Sequence, residues 1–368
     1  MIISYNCLDL YLYTVCASAT SPMAATFLSA VATRSIDSTC TGEKLAARLA
    51  DPTQRRAAIE TLGEYGLTSA DVPLIVPFIS DSEVAFQAAS LLCVVPPQAL
   101  LPHVAKILDL FESVPDDMRW RVVEALSKLD PDELGAHGDS VARLMGSSQD
   151  DSRRRALELM ASLPPAVIQQ HAPAAISLLD DEDEDCRLGA VELLGGLPPE
   201  ALAQPPLLPA LRRVMADDEE GCVRMGAVGA LSKLPVGALT ALAPDLMARL
   251  EDSEWRVRRH VSEVLAGFKA DALAPHADAV LQRLGHTDAR VREWAIATFA
   301  KLASALESDQ AADVGARAAT ALKGLLNDED RRVRERATWL GAKLAGNLAP
   351  AAPVEALSTA ETPADRSG

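Results

Sequence analysis

The stretch CVRMGAVGALSKL at residues 222–234 has counterparts along most of the chain, and its recurrence decides the fold. Its small apolar residue Ala227 has an equivalent in eight other segments, and we call these nine residues the anchors. The anchors are Ala58, Ala88, Val122, Ala156, Ala190, Ala227, Val261, Ala295 and Ala337. Successive anchors are 30, 34, 34, 34, 37, 34, 34 and 42 residues apart. This regular spacing indicates an internal repeat.

Apolar residues recur at helical spacing around each anchor. Every residue seven places after an anchor is apolar, and so is every residue four places after it except Gly341. Such spacing predicts one amphipathic helix in each repeat, which we call the anchor helix. Prolines follow this helix eight or nine places after the anchor, at Pro96, Pro131, Pro164, Pro198 and Pro235. Because proline cannot continue a helix, a turn is expected there.

A second apolar segment follows each turn, as in HVAKILDLF at 103–111. An acidic link, such as EDSE at 251–254, then leads into the next anchor helix, where acidic residues favour the start of a helix. One repeat of this kind cannot bury its apolar residues alone, so neighbouring repeats must stack. The sequence therefore predicts an all-α fold, a solenoid of about nine two-helix repeats.

Three regions are expected along the chain: an N-terminal extension at 1–40, the repeat solenoid at 41–347 and a disordered C-terminal tail at 348–368. The extension is either disordered or a targeting peptide for an organelle, because the stretch from Met23 is rich in Ala, Ser and Thr and free of acids. Asn6 and Asp9 interrupt its apolar residues, so no membrane helix is expected. The longest repeat has about eight extra residues, which we expect as a loop around 307–314.

Arginine stands three places before the anchor in eight of the nine repeats, and in four of them an aspartate stands six places before that arginine. The aspartates are Asp181, Asp218, Asp252 and Asp328, and the arginines are Arg55, Arg119, Arg153, Arg187, Arg224, Arg258, Arg292 and Arg334. This pattern resembles the HEAT-repeat family and its short phycobilisome-lyase-like variant. The resemblance implies an armadillo-type, right-handed superhelix, in which these residues form a structural ladder of hydrogen bonds between repeats. Ala85 replaces the arginine in the second repeat, so the ladder should be interrupted there.

Composition restricts the partners and the compartment. The chain has 52 acidic and 35 basic residues and a net charge of −17, which disfavours nucleic acid as a partner. Its six cysteines include no C-x-x-C pair, which argues against both a disulfide framework and a zinc site. A reducing compartment is favoured, and we expect the cytoplasm unless the N-terminus is a transit peptide.

Four histidines lie fifteen places after an anchor, at His103, His137, His171 and His276. Equivalent positions in adjacent repeats are roughly 8–10 Å apart, so three of these rings cannot meet at one metal ion. We interpret them as residues at helix starts, and we expect no metal, cofactor or catalytic residue. No histidine precedes a glutamate, unlike the iron ligands of HEAT-type deoxyhypusine hydroxylases.

Glutamates two places after the anchor are the candidate binding residues. They are Glu60, Glu124, Glu158, Glu192 and Glu263, and Trp339 stands in the same column. In HEAT arrays the second helix of each repeat lines the concave face, so the resemblance implies an acidic stripe there. We expect a non-enzymatic scaffold that presents this surface to a protein partner, such as a basic or helical segment. The alternatives are a bilin lyase or chaperone of tetrapyrrole attachment, and a purely structural spacer.

Overall fold

The computed structural model describes residues 42–65, 67–302 and 308–344, and within these ranges the regular structure is helical without strands. By its internal contacts, the chain divides into two compact units, Met1–Ala210 and Leu211–Gly368, which we call the N-terminal and C-terminal units. The predicted extension at 1–40 and the tail at 348–368 lie outside the described residues. No described helix is both long enough and apolar enough to cross a bilayer.

The helices alternate between anchor helices and shorter segments. Those that begin in the N-terminal unit are α1 (Gly42–Ala50), α2 (Pro52–Tyr65), α3 (Val72–Ile75), α4 (Ala85–Val94), α5 (Pro97–Leu100), α6 (Val104–Leu110), α7 (Asp116–Leu126), α8 (Pro131–Gly135), α9 (Gly138–Leu144), α10 (Asp150–Ala161), α11 (Pro165–Gln170), α12 (Ala172–Ser177), α13 (Glu184–Gly195), α14 (Pro199–Leu202) and α15 (Leu207–Asp217). Those of the C-terminal unit are α16 (Gly221–Leu231), α17 (Val236–Ala241), α18 (Ala243–Ala248), α19 (Trp255–Ala266), α20 (Ala270–Leu273), α21 (Ala277–Arg283), α22 (Ala289–Leu302), α23 (Ser308–Leu325) and α24 (Arg331–Leu344). Short 3-10 turns join them at Val76–Ser80, Leu101–His103, Phe111–Ser113, Leu178–Asp180, Arg249–Glu251 and Ala274–His276.

Each anchor lies in its own helix, and all nine anchors are buried, with at most 1% of their surface exposed. In the N-terminal unit the anchor helices α2, α4, α7, α10 and α13 pack one against the next. In the C-terminal unit α16, α19, α22 and α24 do the same. The residues four places after the anchors, such as Leu126 and Leu231, are buried in the same layer, except the exposed Gly341. Packing between small apolar side chains therefore holds successive repeats together.

The segment between anchor helices is more subdivided than the sequence predicted. After the first proline the chain forms a short helix, as in α11, and then a second helix, as in α12. A second proline begins that next helix in several repeats, for example Pro173 in α12 and Pro244 in α18. Because proline has no N–H and crowds the preceding turn, the two segments cannot merge into one helix.

The long repeat differs from its prediction. The extra residues were expected as a loop around 307–314, but from Ser308 onward the chain is helical and continues to Leu325 as α23. Residues 303–325 contain no proline and are rich in alanine, so nothing breaks this helix. The additional length therefore extends a helix, which replaces the short broken segments of the other repeats.

Candidate functional site

A buried arginine–aspartate pair links neighbouring repeats, and Arg224 shows its geometry. The guanidinium of Arg224 donates two hydrogen bonds to the carboxylate of Asp252 in the next repeat, at 2.9 and 2.6 Å. It also donates to the carbonyl oxygen of Asp218 in its own repeat, at 2.7 Å. The Asp252 carboxylate in turn accepts a bond from the amide of Glu254 at 2.9 Å. One arginine thus holds two links and the start of the next anchor helix together.

The same arrangement recurs in both units. Two-bond pairs join Arg153 to Asp181, Arg258 to Asp288 and Arg292 to Asp328, and Arg55 bonds Asp81 through one nitrogen at 2.5 Å. Arg187 and Arg334 donate to the carbonyl oxygens of Asp181 and Asp328, six residues earlier. Asp218 accepts the amide of Glu220.

Two of these acceptors were missed in the sequence. Asp81 and Asp288 stand seven rather than nine places before their anchors, where the expected column holds Ile79 and His286. Each still accepts the amide two residues later, from Glu83 and Arg290, as the predicted aspartates do. The sequence could therefore have identified these acceptors as aspartates that stand two places before a residue at the start of an anchor helix, whose amide they accept.

The second repeat departs from the ladder as its sequence implies. Ala85 is buried at the arginine position and has no group to donate to the next repeat. In the repeat that follows, Arg119 is 2% exposed and pairs with Asp116 of its own helix at 2.6 Å. Arg119 also donates to the side chain of Gln149, which holds the position of the missed aspartates.

The ladder shifts the ionisation of its members. Burial opposes the charge of Asp252, but the hydrogen bonds from Arg224 and Glu254 outweigh it and hold the pKa of this carboxyl below its usual value. Asp288 and Asp328 have lowered pKa values for the same reasons, with Arg258 and Arg292 as donors. The bond to Asp252 raises the pKa of Arg224. These pairs therefore remain ionised at neutral pH.

The ladder leaves little reactive chemistry around it. A polar cleft of about 310 Å³ in the C-terminal unit is lined by Arg224, Arg249, Asp252 and Glu251 among others. Its charged groups are engaged, since Arg224 binds Asp252 and Arg249 donates to the carbonyl oxygen of Ala216. Burial, followed by nearby carboxylates, raises the pKa of the Cys186 thiol to about 12. That thiol is a packing group rather than a nucleophile.

The four histidines lie where short helices meet the next helix. His103, His137, His171 and His276 each occupy the N-cap position of a following helix. The ring of His171 lies 3.5 Å from the Asp139 carboxylate of the preceding repeat. Over the described ranges, no three His, Cys, Asp or Glu side chains are placed to share a metal ion.

The glutamate column lies on the exposed face of the anchor helices. In the N-terminal unit Glu60, Glu124, Glu158 and Glu192 are all exposed, and Ser90 interrupts the column in the second repeat. In the C-terminal unit Glu263 is exposed and Trp339 is half-buried. Three of the glutamates hold a cation of their own helix, in the pairs Glu124–Lys128, Glu158–Arg155 and Glu263–Arg259. At these three positions a cation of the same helix partly balances the negative charge of the column.

Exposed aromatic residues accompany this column in the N-terminal unit. Phe86 is 50% and Trp120 is 41% exposed, on the neighbouring anchor helices α4 and α7. The guanidinium of Arg121 stacks on both rings, 4.9 Å from the centre of Phe86 and 4.4 Å from that of Trp120. Trp, Phe and Arg are residues that contribute strongly to protein interfaces. The sequence analysis did not single out this cluster, because its members come from two repeats.

Known sequences agree with this architecture. The family description "HEAT repeats" matches residues 138–232, 172–266 and 243–340, which together cover more than half of the chain. The chain belongs to the HEAT-repeat family. Among curated proteins no sequence match was found.

Solved structures are similar to this HEAT-repeat chain at low sequence identity. The karyopherin Kap121p has a TM-score of 0.54 at 18% identity, over 82% of this chain and 37% of its own. Kap121p bound to the extreme C-terminus of the protein phosphatase Cdc14p gives 0.53 at 18% identity, over 81% and 37%. An engineered protein gives 0.46 at 20% identity, over 82% of each chain. The chain thus spans little more than a third of Kap121p, and the predicted all-α solenoid fold is confirmed.

Proposed function

We propose that this HEAT-repeat protein is a non-enzymatic scaffold whose anchor-helix face binds a protein partner. The observation that carries the proposal is the row of exposed glutamates on stacked anchor helices of the N-terminal unit, beside the exposed rings of Phe86 and Trp120. Large aromatic surface beside aligned charge is typical of protein-binding faces rather than of solvated ones. The family resemblance assigns this face to the concave side.

The charges of the face favour a basic segment of the partner. Glu60 and Glu192 have no cation within ion-pair distance in the described part of the chain. Glu124 and Glu158 form ion pairs at the surface with Lys128 and Arg155. Surface pairs of this kind contribute little stability, about 0–1 kcal/mol, so an incoming Lys or Arg can replace the internal cation. The net charge of −17 would also accelerate the approach of a basic partner.

Structural relatives support a protein as the partner class. The printed descriptions of Kap121p structures name bound proteins, namely the Cdc14p C-terminus, Nup53p and RanGTP. These partners belong to Kap121p, and for this chain only the class is proposed. Tetrapyrrole attachment, the alternative that the short repeats suggested, stays a prediction without a supporting contact.

Charge reversal on the face tests the proposal. In the variant Glu60→Lys, Glu124→Lys, Glu158→Lys and Glu192→Lys, we expect loss of the proteins that the parent chain captures from a cell extract, measured by quantitative mass spectrometry. The matched control reverses four exposed acids on the other helices, Asp109→Lys, Asp132→Lys, Glu133→Lys and Glu200→Lys, and should retain those proteins. Equal capture by both variants, or no stoichiometric protein with the parent, would contradict the proposal.

A further inference from the structure

The first turns of several anchor helices carry opposite charges in the two units. In the N-terminal unit three of the five are acidic, with Asp116 and Asp117 in α7, Asp150 and Asp151 in α10, and Glu184 and Asp185 in α13, whereas those of α2 and α4 contain no acid. In the C-terminal unit the first turns of α19, α22 and α24 contain no acid. Their second residues are Arg256, Arg290 and Arg332.

These three arginines form an aligned row. Each stands five places before its anchor, and α22 packs against both α19 and α24. Equivalent positions on neighbouring helices are on the order of 10 Å apart. The partial positive charge at a helix start favours acids and disfavours arginine, so this position does not serve the stability of the helices.

Neighbouring arginines are paired, whereas this row is not. Arg258 binds Asp288, Arg259 binds Glu263 and Arg331 binds Glu335. Arg256, Arg290 and Arg332 are exposed, and across the described residues no carboxylate lies within ion-pair distance of them. The adjacent acids are engaged with the backbone: Glu254 accepts the amide of Arg256, Asp288 that of Arg290, and Asp330 that of Arg332.

A tryptophan lies within the row. Trp255 is 44% exposed, and its ring stacks with the guanidinium groups of Arg256 at 5.6 Å and Arg290 at 5.5 Å. Stacking on the ring restricts both long side chains while leaving their N–H groups open to a ligand. We call Trp255, Arg256, Arg290 and Arg332 the basic edge.

We propose that the basic edge binds an acidic segment of a protein partner, with an apolar side chain of that segment against Trp255. Three unpaired guanidinium groups in a row match carboxylates spaced along an extended peptide. Nucleic acid fits less well, because the chain's net charge of −17 repels a long polyanion and three cations release few counterions. The basic edge belongs to the C-terminal unit, whereas the glutamate column of the proposed face belongs to the N-terminal unit, and the basic edge takes a partner segment of the opposite charge. The proposal is therefore independent of the function proposed above.

Binding of a labelled peptide to the full-length chain tests this proposal. The probe is a fluorescently labelled peptide of six glutamates and two phenylalanines. Its binding to the chain is measured by fluorescence anisotropy at low and at physiological salt. The variant Arg256→Ala, Arg290→Ala and Arg332→Ala should weaken binding at least tenfold. The matched control, Arg212→Ala, Arg259→Ala and Arg331→Ala, removes three exposed but paired arginines and should bind as the parent does.

Two further measurements separate binding from stability. Trp255→Ala should weaken the binding of the phenylalanine-containing peptide more than the binding of a peptide of glutamates alone. The triple variant of the basic edge should melt at or above the parent temperature, because it removes cations from helix starts. Equal peptide binding by all variants overturns the proposal, as does tighter binding of a single-stranded oligonucleotide of equal charge. A change of oligomeric state in the triple variant without any loss of peptide binding also overturns it, since the row would then join copies of the chain.

Discussion

At the scale of single residues, the most consequential group is the ladder arginine, which eight of the nine repeats contain. Arg224 and Asp252 have side chains only 8% and 2% exposed. Besides binding each other across the repeats, Arg224 donates to the Asp218 carbonyl oxygen of its own repeat, and Asp252 accepts the Glu254 amide of its own repeat. A buried ion pair adds little net stability by itself, because removing both charges from water opposes their attraction. We infer that the pair contributes specificity, since its two-bond geometry favours one register between the repeats.

Removal of one partner should therefore be far more harmful than loss of the pair. Arg224→Met leaves Asp252 buried and unpaired, and we expect a loss of about 3–5 kcal/mol in the free energy of unfolding, measured by urea denaturation. Adding Asp252→Asn should restore much of this loss, because the amide oxygen still accepts the Glu254 amide without a charge. Arg259→Met, which removes an exposed pair with Glu263, should change stability by less than about 1 kcal/mol. If both arginine variants lose the same amount, the ladder is not a structural element.

At the scale of the helix, close approach between anchor helices depends on small residues. A Cβ on Gly221 would lie 2.7 Å from both Cβ and Cγ of Glu254 at the start of the next anchor helix. A Cβ on Gly229 would meet its nearest neighbour, the His260 ring, at an ordinary 3.7 Å. Two glycines of α16 therefore have different functions, one in helix packing and one without a packing role.

This difference predicts opposite effects of the same substitution within one helix. Gly221→Ala should destabilise the chain by about 1–3 kcal/mol, because the new Cβ overlaps the Cβ and Cγ of Glu254, and the Glu254 Cβ cannot move without its backbone. Gly229→Ala should stabilise it by up to about 1 kcal/mol, because alanine favours the helix interior. Thermal and urea unfolding of both variants measure this, and a stabilised Gly221→Ala variant would show that the helices are not in close contact there.

At the scale of the whole molecule, stability comes from contacts between repeats rather than from a central core. Ala227 and Leu231 are fully buried, and α16 packs against α19 of the next repeat. Aromatic residues make up only 4% of the chain, so each layer between helices is thin and built from small side chains. Repeat proteins of this kind are stabilised by nearest-neighbour interfaces.

A single repeat should consequently be unfolded. We expect a peptide of residues 218–251, which contains α16, α17 and α18, to show a disordered circular dichroism spectrum. Its helices are shorter than the roughly 12–15 residues at which isolated helices become marginal in water. The full-length chain under the same conditions is the control and should be strongly helical. Cooperative thermal unfolding of the isolated peptide would contradict stabilisation by stacking.

The sequence by itself determined the repeat, its buried stripe and the position of the ladder arginines. These features repeat with the helix period, and burial of Ala, Val and Leu at fixed spacing leaves a direct trace in the chain. Proline signals also marked the end of five of the nine anchor helices. The effect of the second proline, such as Pro173, was underestimated. It keeps the segment between two anchor helices divided into two short helices.

Only the tertiary structure decided which side chains meet across repeats. Asp288 replaces the expected acceptor at a shifted position, Arg121 bridges Phe86 and Trp120, and Trp255 joins two arginines from successive helices. Such contacts depend on how far and at what angle one helix pair stacks on the next. That geometry arises from the summed packing of whole layers, so no local spacing in the sequence encodes it.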